Sequence, residues 1–177
     1  STIIVSKVDV SQIDVVAVGS EGTLGIITEI TLKLIAKPKL KKSAMGIFEN
    51  IEDAMNAVYK TMACGINPVA MEFLDNLSIR AVEGKFKKGL PIDAGAILIT
   101  EVDGNLNEEL EYQLLKIEEK FKDNGCSDFK IAQDEDEAAN LWFARRNVSQ
   151  SINVYGKKKL NEDITVPRAK LPELLSR

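Results

Sequence analysis

Residues 94–102 constrain the fold of this chain more than any other stretch. Ala94, Ile97, Leu98, Ile99 and Val102 crowd into it without a helical period, which is the pattern of a buried strand. A buried strand needs neighbours, and stretches of strand and helix character alternate on either side of it. Upstream, residues 44–48 read as a strand. Asn50 then stands as a helix N-cap with Asp53 at N3, and Ile51, Met55, Val58 and Met62 recur on one helical face. Gly65 stops that helix, 68–74 reads as a strand, 76–83 as a short helix and 85–91 as a loop. Downstream, Asn105 reads as the cap of the longest helix. Its core stripe is Leu106, Leu110, Leu114, Ile117 and Phe121, and Asn124 and Gly125 end it. A strand over 129–132, a helix over 135–153 capped by Asp134, and a strand over 159–166 before Pro167 complete the series. The order β-α-β-(α)-β-α-β-α-β, with helices on one side of the sheet, predicts an α+β fold of the ferredoxin-like sandwich type.

The N-terminal part has a different character. Residues 14–18 are a short apolar run, and 26–35 alternate: Ile26, Thr28, Ile30, Leu32 and Leu34 share one face, Ile27, Glu29, Thr31, Lys33 and Ile35 the other. Lys37, Pro38, Lys39, Leu40, Lys41 and Lys42 then break the pattern with a proline and like charges. The chain therefore divides into strands over 1–36, a linker over 37–42 and an α+β domain over 43–177.

Composition excludes several kinds of chemistry. Of the 177 residues none is histidine, which removes Ser/His/Asp and Cys/His nucleophilic sites and every imidazole metal site from within this chain. The net charge of −4 argues against nucleic-acid binding, which draws on clustered excess cation. Cys64 and Cys126 are far apart with no CxxC pattern, so they read as small core residues in a reduced compartment. No apolar stretch is long enough to span a bilayer. The chain starts at Ser1 without a methionine, as if cut from a longer one.

Gly19, Ser20, Glu21, Gly22, Thr23, Leu24 and Gly25 join the two N-terminal strands. Three glycines so close let backbone N–H groups approach a ligand, although a tight hairpin turn uses glycine in the same way. The loop is neither a Walker A motif, since no lysine follows Gly25, nor a Rossmann fingerprint, since a strand follows it. The whole stretch Val18-Gly19-Ser20-Glu21-Gly22-Thr23-Leu24-Gly25-Ile26-Ile27-Thr28-Glu29-Ile30-Thr31-Leu32-Lys33-Leu34 resembles the end of the FAD domain in the type-4 FAD-linked oxidases. These flavoproteins of the vanillyl-alcohol-oxidase class include the flavin subunit of glycolate oxidase and D-lactate dehydrogenase. Leu141-Trp142-x-x-Arg145-Arg146 and Leu160-x-Glu162-Asp163-x-x-Val166-Pro167-Arg168 resemble the C-terminal cap domain of the same family.

Arg145 stands out before any resemblance is invoked. Ala138, Leu141, Val148 and Ile152 line one face of the 135–153 helix, and Arg145 falls on that stripe. A guanidinium there needs an anion: a structural carboxylate partner, or a ligand carboxylate held by the two-pronged fork. Trp142 reads as core packing. Arg146 points elsewhere, the lysines at 157–159 and 37–42 read as solvated turns, and Asp134, Glu135, Asp136 and Glu137 form an acidic helix start.

The resemblance implies more. It places Gly19, Ser20, Glu21, Gly22, Thr23, Leu24, Gly25, Ile26 and Ile27 against FAD, and gives Arg145 to the carboxylate of a 2-hydroxy acid, with Ser149 and Lys159 as helpers. It implies a cytoplasmic enzyme, peripheral to the membrane at most, that passes electrons to an iron–sulfur or other accepting subunit. The rest of the FAD domain and the family's histidine-containing metal motif would lie outside these residues, so the chain reads as part of a longer enzyme, inactive alone. The competing reading is a free-standing ferredoxin-like ligand-binding or assembly module without flavin.

Overall fold

The computed structural model describes residues 36–156 together with Thr23, Gly25, Ile26, Thr28, Leu34, Ile164, Val166, Lys170, Glu173 and Leu174. The chain divides into two units, Ser1–Lys37 and Pro38–Arg177, and the elements below belong to the second. The strands read over 14–18, 26–35 and 159–166 lie outside the described residues, apart from a few single positions.

Strand β1 (Leu40–Phe48) leads into helix α1 (Ile51–Ala63), β2 (Ala70–Asp75), α2 (Asn76–Phe86), β3 (Ala96–Gly104), α3 (Asn107–Lys122), β4 (Cys126–Ile131) and α4 (Glu135–Ser151), and α4 ends in a 3-10 turn at Ile152–Val154. The strands lie in the order β2-β3-β1-β4, and every neighbouring pair is antiparallel. With α2 set aside, the path β1-α1-β2-β3-α3-β4 is the split βαβ arrangement of a ferredoxin-like sandwich, so the fold is α+β.

The helices cover both faces of the sheet, not one. Alternate residues of β3 show why. Ala96, Leu98 and Val102 join Ala44, Phe48, Leu110, Leu114, Ile117 and Phe121 in a core under α1 and α3. Ile97 and Ile99 join Met45, Leu74, Ile79, Val82 and Ala144 in a second core under α2 and α4. A strand apolar on both faces is satisfied only by cover on both faces. Helix α2, inserted between β2 and β3, and α4, following β4, provide the second layer.

Local chemistry sets the element ends. Asn50 Oδ1 accepts from the Asp53 amide at 2.8 Å, Asp75 Oδ1 from Ser78 at 2.9 Å and Asp134 Oδ1 from Glu137 at 2.8 Å, three side-chain N-caps. Helix α3 departs from its sequence reading. Its N-cap is Leu106, without a side-chain bond, and Leu106 is 62% exposed instead of lying in the core. Asn105 Oδ1 instead accepts from the Lys39 amide at 3.3 Å, a long-range contact that local capping rules do not register. Strand β1 takes in Leu40, Lys41 and Lys42, placed in the linker by their charge, because they pair with Gly104, Asp103 and Val102 of β3. Helix α2 runs on to Phe86 and closes at Lys87 in the left-handed conformation, φ 52°. There the Glu83 carboxylate accepts from the amides of Lys88, Gly89 and Leu90.

Candidate functional site

Helix α4 lies on the second face with Ala144 and Ser151 buried, while Leu141, Trp142, Phe143 and Val148 pack around them. Two small residues two turns apart let the helix approach the sheet closely, so the buried centre runs through them. Arg145, one position further round, is turned out. Its side chain is 47% exposed, which corrects its reading as a member of the apolar stripe. It is still paired: Nε donates to Glu72 Oε2 at 2.7 Å. Glu72 stands on β2 two residues before Leu74, hence on the face that α4 covers. Both groups keep much of their solvent, and a pair of this kind contributes about 0–1 kcal/mol to stability.

A second polar contact ties the preceding turn of α4 to the sheet. Trp142 Nε1 donates to Ser43 Oγ on β1 at 3.0 Å, and Ser43 Oγ donates to Glu101 Oε2 on β3 at 3.1 Å. Lys41 Nζ lies 3.6 Å from the same carboxylate oxygen. Trp142 is thus both packed and tethered. Arg146 is exposed and reaches back to its own helix, Nε to Trp142 O and Nη2 to Ala139 O, both at 3.4 Å. Ser149 is exposed one turn beyond Arg145, and residues four apart share a helix face. Lys159 lies outside the described residues.

Of the glycine-rich loop, Gly19, Ser20, Glu21, Gly22, Leu24 and Ile27 lie outside the described residues. Thr23, Gly25 and Ile26 are exposed, Ile26 at 88%. A Cβ at Gly25 would meet nothing within 4 Å. Leu34, which shares the apolar face of Ile26 in the alternating pattern, is 86% exposed.

Sequence reasoning missed Glu72 and the pair Ser43 and Glu101. A signal existed in each case: a polar residue on the core-facing register of a strand, Glu72 in phase with Leu74, and Glu101 in phase with Ile97 and Ile99. Of the two cysteines read as core residues, Cys126 packs against the core under α1 and α3, and Cys64 does not. Cys64 is the exposed C-cap of α1, and Cys126 is half-buried, with burial pushing its thiol pKa up. Among the described residues, no group of three His, Cys, Asp or Glu side chains is placed to hold a metal ion, and no helix is long and apolar enough to cross a membrane.

The geometry defines a class: an antiparallel α+β sandwich with a covering helix that presents an arginine and a serine at its surface. Comparison with known proteins gives the family. Residues 37–177 match the model of the C-terminal domain of FAD linked oxidases, and the chain belongs to that family. It is 37% identical over 157 residues to the glycolate oxidase subunit GlcD of Escherichia coli K12, covering 89% of this chain and 31% of that protein. It is 39% identical over 158 residues to GlcD of Bacillus subtilis, covering 89% and 33%. It is 34% identical over 160 residues to the probable mitochondrial D-lactate dehydrogenase of Danio rerio, covering 89% and 32%. The chain spans about a third of the length of these curated relatives.

Proposed function

We propose that this chain is the cap portion, with the last strands of the FAD domain, of a longer FAD-dependent enzyme that oxidises a 2-hydroxy acid of the glycolate or D-lactate type to the 2-oxo acid. The observation that carries the reading is Arg145. It stands at the surface of α4, held at Nε by Glu72, with Ser149 on the same helix face. Membership in the FAD-linked oxidase family and likeness to glycolate oxidase and D-lactate dehydrogenase supply the chemical context. They also favour this reading over a module without flavin.

When bound, FAD supplies the acceptor for the hydride that leaves C2 of the substrate. The protein's part is binding and orientation. The terminal nitrogens of Arg145 take both oxygens of the substrate carboxylate, which fixes the acid at one end and limits its rotation. The Ser149 hydroxyl adds a hydrogen bond to the same carboxylate, and Lys159 a further cation. In the described part of the 19–27 loop, Gly25 and Ile26 are exposed, and the isoleucine would offer apolar surface to a flavin. The intact enzyme would hand its electrons to an iron–sulfur or other accepting subunit.

The test is made on the full-length enzyme. Anaerobic addition of glycolate or D-lactate should bleach the flavin's visible absorbance, and the matching 2-oxo acid should accumulate in equal amount. A purified full-length protein without flavin, or with a flavin that neither acid reduces, would refute the proposal.

A further inference from the structure

We propose that Glu72 is a positioning residue that sets the plane of the Arg145 guanidinium so that its outer fork meets a substrate carboxylate; this rests on the reading of Arg145 given above. The contact is specific in its atoms. Glu72 Oε2 takes the hydrogen of Nε, the nitrogen nearest the chain, at 2.7 Å. A guanidinium is planar and rigid, so a bond at Nε restricts the orientation of the whole group. An anion bound at Nε also leaves the pair of parallel N–H bonds across Nη1 and Nη2, which is the geometry a second carboxylate binds with both oxygens.

The tether has a rigid base. Glu72 sits in β2, which pairs with β3 from Ala70 to Asp75, and Glu72 itself lies opposite Ile99. Helix α4 is held on the other side of β3 as well, because Trp142, three residues before Arg145, donates to Ser43 of β1. With β1 and β2 flanking β3, the two contacts straddle the central strand, and buried Ala144 lies between them in sequence. This fixes the rotation of α4 about its own axis at the turn that carries Arg145. A free surface arginine would lose rotamer freedom on binding each substrate molecule, whereas one already held at Nε has lost part of it beforehand.

The experiment uses the full-length flavin-loaded enzyme and oxalate, an unreactive dicarboxylate, as the binding probe. Oxalate affinity is read by titration calorimetry, alongside flavin content, melting temperature and steady-state kinetics. Glu72→Leu keeps side-chain bulk but removes the acceptor, and should weaken oxalate binding and kcat/KM by about tenfold, while Glu72→Gln, which keeps an acceptor, stays within about threefold of wild type. In an Arg145→Met background, Glu72→Leu should add no further loss. Unchanged or tighter oxalate binding in Glu72→Leu, with Arg145→Met still weakening it, would overturn the positioning role alone; tighter binding would make Glu72 a competitor for the fork. Unchanged binding in Arg145→Met would overturn the carboxylate reading and this inference with it. If Glu72→Leu loses flavin or melts early, Glu72→Asp is measured instead. Its carboxylate is one methylene short of Nε, so weakened oxalate binding is expected, and unchanged binding refutes the role.

Discussion

Gly46 offers the sharpest test of the packing. It lies mid-strand in β1, opposite Leu98 of β3 on one side and Phe129 of β4 on the other, so its backbone is held by both neighbours. A Cβ there would come 2.5 Å from Phe121 Cδ2, 3.0 Å from Cε2 and 3.2 Å from Cys126 Sγ. Such a contact is relieved only if the ring moves. Phe121 is fully buried and sits edge-on against Phe48 at 5.5 Å and Phe129 at 5.6 Å between ring centres, so it has no open direction. Gly46→Ala should therefore cost about 1–3 kcal/mol, the range for overpacking a filled core. For a domain of this size that lowers Tm by about 3–10 °C. Thermal unfolding followed by circular dichroism reads the shift. A double-mutant cycle with Phe121→Leu checks its cause, because the smaller side chain should recover at least about 0.5 kcal/mol of the loss. A Tm within about 1 °C of wild type, or strictly additive effects, would refute the argument that the ring is pinned.

The hydrogen bond from the Leu90 amide, with those from Gly89 and Lys88, holds the Glu83 carboxyl below its usual pKa of 4.5, so its stabilising effect is present above that pH and is lost as pH falls through the lower folded value. The Tm gap between wild type and Glu83→Gln should thus be widest at neutral pH and close in acid, and a gap that is constant with pH would contradict this. In the full-length enzyme, Gly22→Val should lower flavin content while leaving the cap folded, because a β-branched side chain crowds a backbone approach to the cofactor. Unchanged flavin stoichiometry would reduce the loop to a turn.

Much of the C-terminal domain was legible because its signals are local. The 94–102 run is a strand, though it lies at 96–104, and the caps Asn50 and Asp134 and the α3 positions Leu110, Leu114, Ile117 and Phe121 stand where their patterns place them. What escaped is long-range. Pairing with β3 draws Leu40, Lys41 and Lys42 into β1 against their charge, and the Lys39 amide takes Asn105 away from its capping role. Cover on both faces was already implied by Ile97 and Leu98 as apolar neighbours, since adjacent strand residues point opposite ways. Arg145 does meet an anion, Glu72, but as a half-exposed residue beside the buried line of the helix and not as a member of its apolar stripe. Large apolar residues drew the stripe, while small Ala144 and Ser151 set the true buried line. Its partner Glu72 lies 73 residues away, beyond the reach of any local rule.

Arg145→Lys in the full-length flavin-loaded enzyme, with kcat/KM for the preferred 2-hydroxy acid measured beside Tm, tests whether the guanidinium holds the substrate carboxylate. Lysine keeps the charge but not the fork, so the transition state should lose about 2–4 kcal/mol, a fall in kcat/KM of roughly 30- to 1000-fold. The half-exposed pair with Glu72 contributes so little that Tm should move by no more than about 2–4 °C and flavin content not at all. A kcat/KM within about twofold of wild type would contradict the claim that Arg145 holds the substrate carboxylate.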